Sequence, residues 1–154
     1  MEASDVLTDR VTLDFLIVAD GAQAVGGKLY VLGGGWSHLL LPTIPGRAPL
    51  PFALALGLSI PWTQTNRDFN FALEVRDADG QRVGDEPIAT GQFQQGRPPG
   101  LRQGTSQRLM LAVPAGIEFP AAGRYSFHAL LDQEELGSTA IEVAQLQPGL
   151  IPQG

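Results

Sequence analysis

The chain has 154 residues, which is enough for one domain, and 44% of them are hydrophobic, which is enough to fill a core. Its net charge of −6 argues against a nucleic-acid partner, because affinity for the phosphate backbone rests largely on lysine and arginine. The absence of cysteine excludes disulfides, zinc–thiolate sites, iron–sulfur clusters and cysteine nucleophiles.

The first residues, MEASDVLTDR, carry three acids and no apolar core of a secretory signal. No segment approaches the roughly 18 apolar residues that a membrane span needs. We therefore expect a cytoplasmic protein without a membrane partner.

The first two predicted strands, "VTLDFLIVAD" and "GKLYVLGG", are apolar on both faces, which is typical of strands that are covered on each side. Three glycines, Gly33 to Gly35, follow. A phosphate-binding loop would lead into a helix, but these glycines precede "WSHLLLP", which contains another strand pattern. We interpret them as a tight turn or bulge between two paired strands.

The middle of the chain alternates with a period of two, as half-buried strands do. In "PFALALGLSIPW" the large residues fall on one face and small ones on the other, which predicts close packing on the second face or a central strand. "DFNFALEVRD" alternates apolar and mostly polar residues. Asp79-Gly80 then predicts a hairpin turn, because glycine tolerates positive φ.

Further strands are predicted in "SQRLMLAVP", "RYSFHALLD" and "STAIEVAQ". The "FPAAGRYSF" stretch resembles a tyrosine corner, in which a tyrosine entering a strand bonds back to the preceding turn. The sequence thus predicts an all-β protein, a single antiparallel β-sandwich of the Greek-key, immunoglobulin-like type with about eight or nine strands. We place the domain at residues 11–145, between tails at 1–10 and 146–154.

The candidate catalytic residues are few. The histidines are His38 and His128, and Ser126 lies two positions before His128 on the same strand face. A Ser/His pair on a flat sheet face lacks the exposed elbow and the oxyanion N–H groups of an acyl transferase. We therefore predict no enzymatic activity and no cofactor.

Two acidic clusters could bind calcium through loop oxygens or could be solvated turns, where aspartate is common. We favour turns and predict no metal site. The clusters are Asp77, Asp79, Asp85 and Glu86, and Asp132, Glu134 and Glu135.

Charge is unevenly distributed along the chain. Residues 87–117 contain no acid and carry +3, whereas residues 118–154 carry −4. The basic segment includes a long loop at 95–104, which Pro98 and Pro99 would stiffen. This loop docks on an acidic edge of another copy or of a partner, or the two charged segments are neighbours in one molecule, or the loop is mobile.

Trp62 follows Pro61 at a strand end. It either anchors a partner or a sugar ring, or it folds back over the end of the sandwich, and the same choice applies to Trp36. Together these features give eight candidate interface residues: Arg97, Pro98, Pro99, Arg102, Arg108, Trp62, Glu134 and Glu135.

Four segments, "FLIVADGAQAVGGKLYVLGGGW", "IPWTQTNRDFNFALEVRDADG", "GRPPGL" and "AAGRYSFHALLDQEEL", resemble an uncharacterised bacterial domain-of-unknown-function family. The resemblance covers roughly residues 12–143. It implies one compact β domain and brings no activity, cofactor or catalytic residue.

We expect a non-enzymatic protein that works by protein–protein association, as a scaffold, a shell or filament subunit, or an accessory subunit. Its partner would be a second copy or a larger assembly, reached through the 95–104 loop and the sheet edges. The alternatives are a module that binds carbohydrate or another small molecule through exposed tryptophan and end loops, and an enzyme of unfamiliar type that uses the carboxylates.

Overall fold

The computed structural model of the chain describes residues 9–147. The two predicted tails therefore lie almost wholly outside the described residues. Within 9–147 the chain forms eleven strands: β1 (Thr12–Val25), β2 (Lys28–Gly34), β3 (His38–Leu41), β4 (Gly46–Arg47), β5 (Phe52–Ile60), β6 (Asp68–Arg76), β7 (Ala89–Gln94), β8 (Gln107–Ala115), β9 (Glu118–Phe119), β10 (Gly123–Leu131) and β11 (Glu134–Gln145).

The strands form three sheets. The four-stranded sheet has the order β2-β1-β5-β8, the five-stranded sheet has the order β3-β11-β10-β6-β7, and β4 pairs with β9. The only helical element among residues 9–147 is a 3-10 turn at Trp62–Gln64, so no helix there is long enough to cross a membrane.

The all-β class is confirmed, but the predicted count of eight or nine strands is wrong. Strands β4 and β9 have two residues each, which is too short to show an alternating pattern. The expectation of purely antiparallel pairing is also wrong, because β3 and β11 pair in parallel, with His38 opposite Glu142.

Alternating apolar residues place both large sheets over one core. In β6 the residues Phe69, Phe71, Leu73 and Val75 are buried, and their neighbours on the other face are not. The inward residues of β5 and β10 join the same cluster of buried side chains. The period of two read from the sequence therefore identified the core face of each of these strands.

The β5 strand is central in its sheet and is buried on both faces. Its outer residues are small, and larger side chains from the two neighbouring strands cover them. A Cβ atom at Gly57 would lie 2.5 Å from Cε1 of Phe15 in β1 and 3.1 Å from Cε of Met110 in β8. Close packing over the small face of β5 is thus confirmed, and it comes from this sheet's own strands.

The three glycines have a different role from the predicted one. Gly33 and Gly35 have positive φ angles of 55° and 89°, and the Gly35 N–H donates a 2.8 Å hydrogen bond to the Val18 carbonyl. The expectation of a turn between two paired strands is wrong, since β3 leaves the four-stranded sheet and joins β11. The glycines let the chain turn sharply as it crosses between sheets.

Two predicted turns and the tyrosine corner are confirmed. Asp77 accepts hydrogen bonds from the backbone N–H groups of Asp79 and Gln81 through Oδ1, and Gly80 has a φ of 81°. Asp132 and its successor, both with positive φ, join β10 to β11. The Tyr125 hydroxyl donates a 2.6 Å hydrogen bond to the Ala121 carbonyl.

Candidate functional site

The far half of β1 and all of β2 form a two-stranded hairpin, residues 20–34, which we call the hairpin arm. Residues 12–19 of β1 pair with β5, whereas Ala19 to Val25 pair with β2. Gly26 and Gly27 make the turn with positive φ. Strand β2 ends the order of its sheet, so among residues 9–147 no strand pairs with its outer edge.

The hairpin arm carries three of the large apolar side chains that are most exposed among the described residues. Val25 is 51% exposed, Tyr30 is 57% exposed and Leu32 is 76% exposed. Tyr30 lies opposite Gln23 and Leu32 lies opposite Gly21, and together with Ala22 these four residues line a shallow depression of about 380 Å³. An unpaired edge with exposed apolar side chains is a surface suited to pairing with another chain.

The other three edges of the two large sheets are less suited to pairing. Strand β8 carries Pro114, which has no N–H to donate, and exposed Arg108. Strand β7 reads ATGQFQ and exposes mainly polar side chains, and β3 has only four residues. Edge strands protected by proline, charge or short length resist added strands. The β2 edge has none of these protections along residues 29–33.

Two opposite charges lie near the two ends of β2. Lys28 begins the strand, and the Asp20 carboxyl group lies beside Gly33 at its other end, where a Cβ atom would be 2.9 Å from Asp20 Cγ. Neither Lys28 nor Asp20 has an ion-pair partner within the described part of the chain.

The predicted docking loop is held against its own molecule. The Arg97 guanidinium lies 3.8 Å from the centroid of the Trp62 ring. Its Nε donates a 2.6 Å hydrogen bond to Thr65 Oγ1, and a terminal nitrogen donates one of 3.0 Å to the Trp62 carbonyl. Thus two of the predicted interface residues, Arg97 and Trp62, contact each other within one chain. Trp36 is half-buried and packs edge-on against Phe52, with ring centroids 5.6 Å apart.

The remaining predicted interface residues are exposed and lie on several different elements. Pro98, Pro99 and Arg102 are exposed in the loop. Arg108 lies on β8 of the four-stranded sheet, where its Nε is 3.9 Å from Asp14 Oδ2. Glu134 is exposed at the β10–β11 turn. No group of three or more histidine, aspartate or glutamate side chains suited to a metal ion occurs in the described range.

A polar network covers the outer face of the five-stranded sheet. Ser126 Oγ lies 2.7 Å from His128 Nε2, and His128 Nδ1 is hydrogen-bonded to Glu135 Oε1. Arg76 Nη1 lies 3.4 Å from the same Glu135 oxygen, and Arg76 Nη2 lies 3.0 Å from Glu74. His38 lies apart from this network, exposed on β3 and bonded to Ser37.

Arg76 and Arg82 both form ion pairs with the Glu74 carboxylate. The hydrogen bond from Arg76 is the largest influence that lowers the pKa of Glu74 below its usual value of about 4.5; partial burial opposes it, and Arg82 adds to it. Sequence reasoning placed Ser126 and His128 together but missed Glu135. No clear sequence pattern links Glu135 to His128, because Glu135 reaches His128 only through a register shift between Ala129 and Leu130 in the β10–β11 hairpin.

Comparison with known proteins gives a family and a set of distant structures. The family model described as "Family of unknown function (DUF6941)" matches residues 14–144. None of the curated proteins compared with the chain matches it.

One similar structure is the alkylpurine DNA glycosylase AlkC of Pseudomonas fluorescens, bound to DNA containing an abasic site analog. The identity is 14%, with 87% of this chain and 30% of that chain covered, and the TM-score is 0.43. Another is an immunoglobulin-like protein of Pseudomonas aeruginosa, with 13% identity, 88% of this chain and 97% of that chain covered, and a TM-score of 0.37. Both TM-scores are below 0.5, so neither structure assigns a role to this chain.

Proposed function

Because the chain belongs to the DUF6941 family of unknown function, we propose its role from its own surface: it acts by protein–protein association and not by catalysis. In this proposal the β2 edge of one copy pairs, antiparallel, with the β2 edge of a second copy. The observation that carries the proposal is that β2 combines an unpaired edge, within residues 9–147, with exposed Tyr30 and Leu32.

The backbone of an edge strand supplies the attraction. Each N–H and C=O group on the outer side of β2 can bond to an added strand, and this continues the sheet into the partner. Apolar side chains opposite each other across such a pair contribute further stability, about 0.2–1 kcal/mol per pair. Pairing would also remove Tyr30 and Leu32 from water, which is favourable in proportion to the apolar area covered.

A second copy is the occupant that the sequence of β2 favours. When two β2 strands pair antiparallel about Val31, Tyr30 of each copy lies opposite Leu32 of the other. Both copies contribute the same strand in this register, so the two-fold axis repeats the contact between Tyr30 and Leu32.

We further propose that the two main sheets form an immunoglobulin-like Greek-key sandwich. The hydrogen bond between Tyr125 and Ala121 supports it, because tyrosine corners recur in such sandwiches. Of the two docking elements predicted from the sequence, the sheet edge has the stronger support, because Arg97 is engaged within its own chain. Contacts by Pro98, Pro99 and Arg102 stay predictions.

Light scattering after size-exclusion chromatography tests the proposal over a range of concentrations. We expect a dimer that Leu32→Asp weakens at least tenfold, because a charge on the pairing edge must be desolvated. Leu50→Asp is the matched control, since Leu50 is 77% exposed and lies outside β2. A chain that stays monomeric up to about 1 mM, where even weak complexes form, contradicts the proposal.

A cysteine scan tests the register, and the natural chain adds no cysteine of its own. Residues that face each other across antiparallel strands have Cα atoms about 4.5–5.5 Å apart, which a disulfide can bridge. We expect Val31→Cys to form a covalent dimer on mild oxidation, and Leu50→Cys not to. A dimer that is sensitive to Leu32→Asp but not trapped at Val31 would exclude this register. A dimer that neither change affects would exclude the β2 edge.

A further inference from the structure

A row of three side chains on the outer face of the five-stranded sheet has the geometry of a nucleophile, a base and an orienting carboxylate. Ser126 and His128 lie on β10, and Glu135 lies at the start of β11. The Ser126 Oγ to His128 Nε2 distance is 2.7 Å, and the opposite ring nitrogen contacts Glu135. This arrangement has no part in the association proposed for β2, which lies in the other large sheet.

The two hydrogen bonds determine which atom donates and which accepts at each step from Ser126 to Glu135. An ionised Glu135 can only accept a hydrogen bond, so His128 Nδ1 carries the proton that is shared between them. In the neutral ring Nε2 then has a free lone pair, and the Ser126 hydroxyl must donate to it. The imidazole is therefore in the tautomer that can remove the Ser126 proton when Oγ attacks an electrophile.

The surroundings of Ser126 supply a cation and an open side. Arg76 lies directly across from Ser126 on β6, and Glu74 and Glu135 hold its guanidinium in place. Ala140 lies across from Ser126 on β11, where its small side chain leaves room for a reagent. The His128 side chain is 13% exposed, whereas that of Glu135 is 43% exposed.

We propose that Ser126 is a modification site that accepts an acyl group from an activated ester or thioester. Ser126 Oγ attacks the carbonyl carbon and forms the new C–O bond, and its proton passes to His128 Nε2. The bond to the leaving alkoxide or thiolate then breaks, and that group takes the proton from Nε2. Arg76 is the cation placed to stabilise the negative charge that develops on the carbonyl oxygen.

The proposed step is a single transfer to the chain and not turnover. Strand β10 pairs on both sides, with β11 and β6, so its backbone N–H groups across residues 126–131 are directed into the sheet. Acyl-transfer enzymes commonly use free backbone N–H groups to stabilise both the formation and the breakdown of the acyl intermediate. With a side-chain cation alone, we expect slow acylation and a long-lived ester on Ser126.

The test treats the wild-type chain with p-nitrophenyl acetate, an activated ester. We expect release of about one nitrophenolate per chain, and mass spectrometry of proteolytic fragments to place the acetyl group on Ser126. Ser126→Ala removes this label, and Ser138→Ala, which changes an exposed serine on the same sheet, does not. Labelling that Ser126→Ala leaves unchanged, or that is equal at Ser138, overturns the proposal.

Two further variants separate a polarised serine from one that is merely accessible. His128→Ala should slow acetylation of Ser126 about a hundredfold, because general-base catalysis contributes roughly 10²–10⁴ in rate. Glu135→Gln keeps the size of the side chain and should slow it at least tenfold by weakening the hold on the Nδ1 proton.

Circular dichroism shows whether each variant is folded. If His128→Ala is unfolded, Glu135→Gln serves as the test in its place. An unchanged acetylation rate in a folded variant of either residue overturns the proposal. The oligomeric state is measured separately, so failure of this inference leaves the β2 association untouched.

Discussion

The guanidinium of Arg97 stacks 3.8 Å above the ring of Trp62, although 35 residues separate them in the sequence. The sequence suggested that each could reach outward to a partner. Instead the two side chains contact each other within one molecule. The start of the 95–104 loop is therefore fixed to the 3-10 turn after β5 and is not a free arm.

Replacing Arg97 with alanine should release this loop. The change removes a cation–π contact and two side-chain hydrogen bonds, so we expect the free energy of unfolding to fall by about 1–2 kcal/mol. Backbone amide exchange in residues 95–104 should become faster. Arg102→Ala is the control, because Arg102 is exposed and should change stability by less than about 0.5 kcal/mol. Equal exchange in both variants would show that the stack does not order the loop.

The tyrosine corner should contribute measurably to stability. Tyr125→Phe leaves the Ala121 carbonyl without its 2.6 Å hydrogen bond while keeping the aromatic ring, so we expect a loss of about 1–2 kcal/mol in urea unfolding. Tyr30→Phe removes a hydroxyl from an exposed ring and should have almost no effect on monomer stability. Similar losses for the two variants would mean that the corner bond is not stabilising.

The close packing over β5 predicts opposite outcomes at two glycines within strands. At Gly57 an added methyl group meets the Phe15 ring at 2.5 Å, so Gly57→Ala should destabilise the protein by about 1–3 kcal/mol through overpacking. At Gly91 in β7 nothing lies within 4 Å of the added atom, so Gly91→Ala should be neutral or stabilise by up to about 1 kcal/mol. Thermal or urea unfolding of both variants checks the pair. A Gly57→Ala protein as stable as wild type would contradict this packing.

The acid dependence of stability should depend partly on Glu74. The pKa of Glu74 is lowered in the folded state, first by the hydrogen bond from Arg76, so ionised Glu74 stabilises the fold above its unfolded pKa of about 4.5. That contribution is lost as the pH falls through the lowered folded pKa. The stability difference between wild type and Glu74→Gln should therefore be largest near neutral pH and shrink in acid. The effect should be small, because the site is partly solvated.

Urea midpoints measured between about pH 3 and pH 7 check this dependence. Glu118→Gln is the control, since Glu118 is exposed and has no ion-pair partner among residues 9–147. A gap between wild type and Glu74→Gln that widens in acid would have the wrong sign for a lowered pKa.

Features that depend on neighbouring residues were readable from the sequence alone. The alternation from Phe69 to Val75 identified the buried face of β6, and the Asp79-Gly80 pair identified its turn. The tyrosine corner was also visible, because both of its partners lie within five residues. In each case the physical cause is local: side chains alternate across a strand, and only certain residues tolerate positive φ.

Features that depend on which strands meet were decided by the tertiary structure. The spacing of Ser126 and His128 predicted that they are neighbours, but the contact with Glu135 depends on how β11 pairs with β10, with a register shift. The sequence also could not show that β3 would leave β2 for a parallel partner, which makes β2 an edge. Alternation specifies which face of a strand is buried and leaves its neighbour open, because every amphipathic strand offers the same backbone hydrogen bonds to every other.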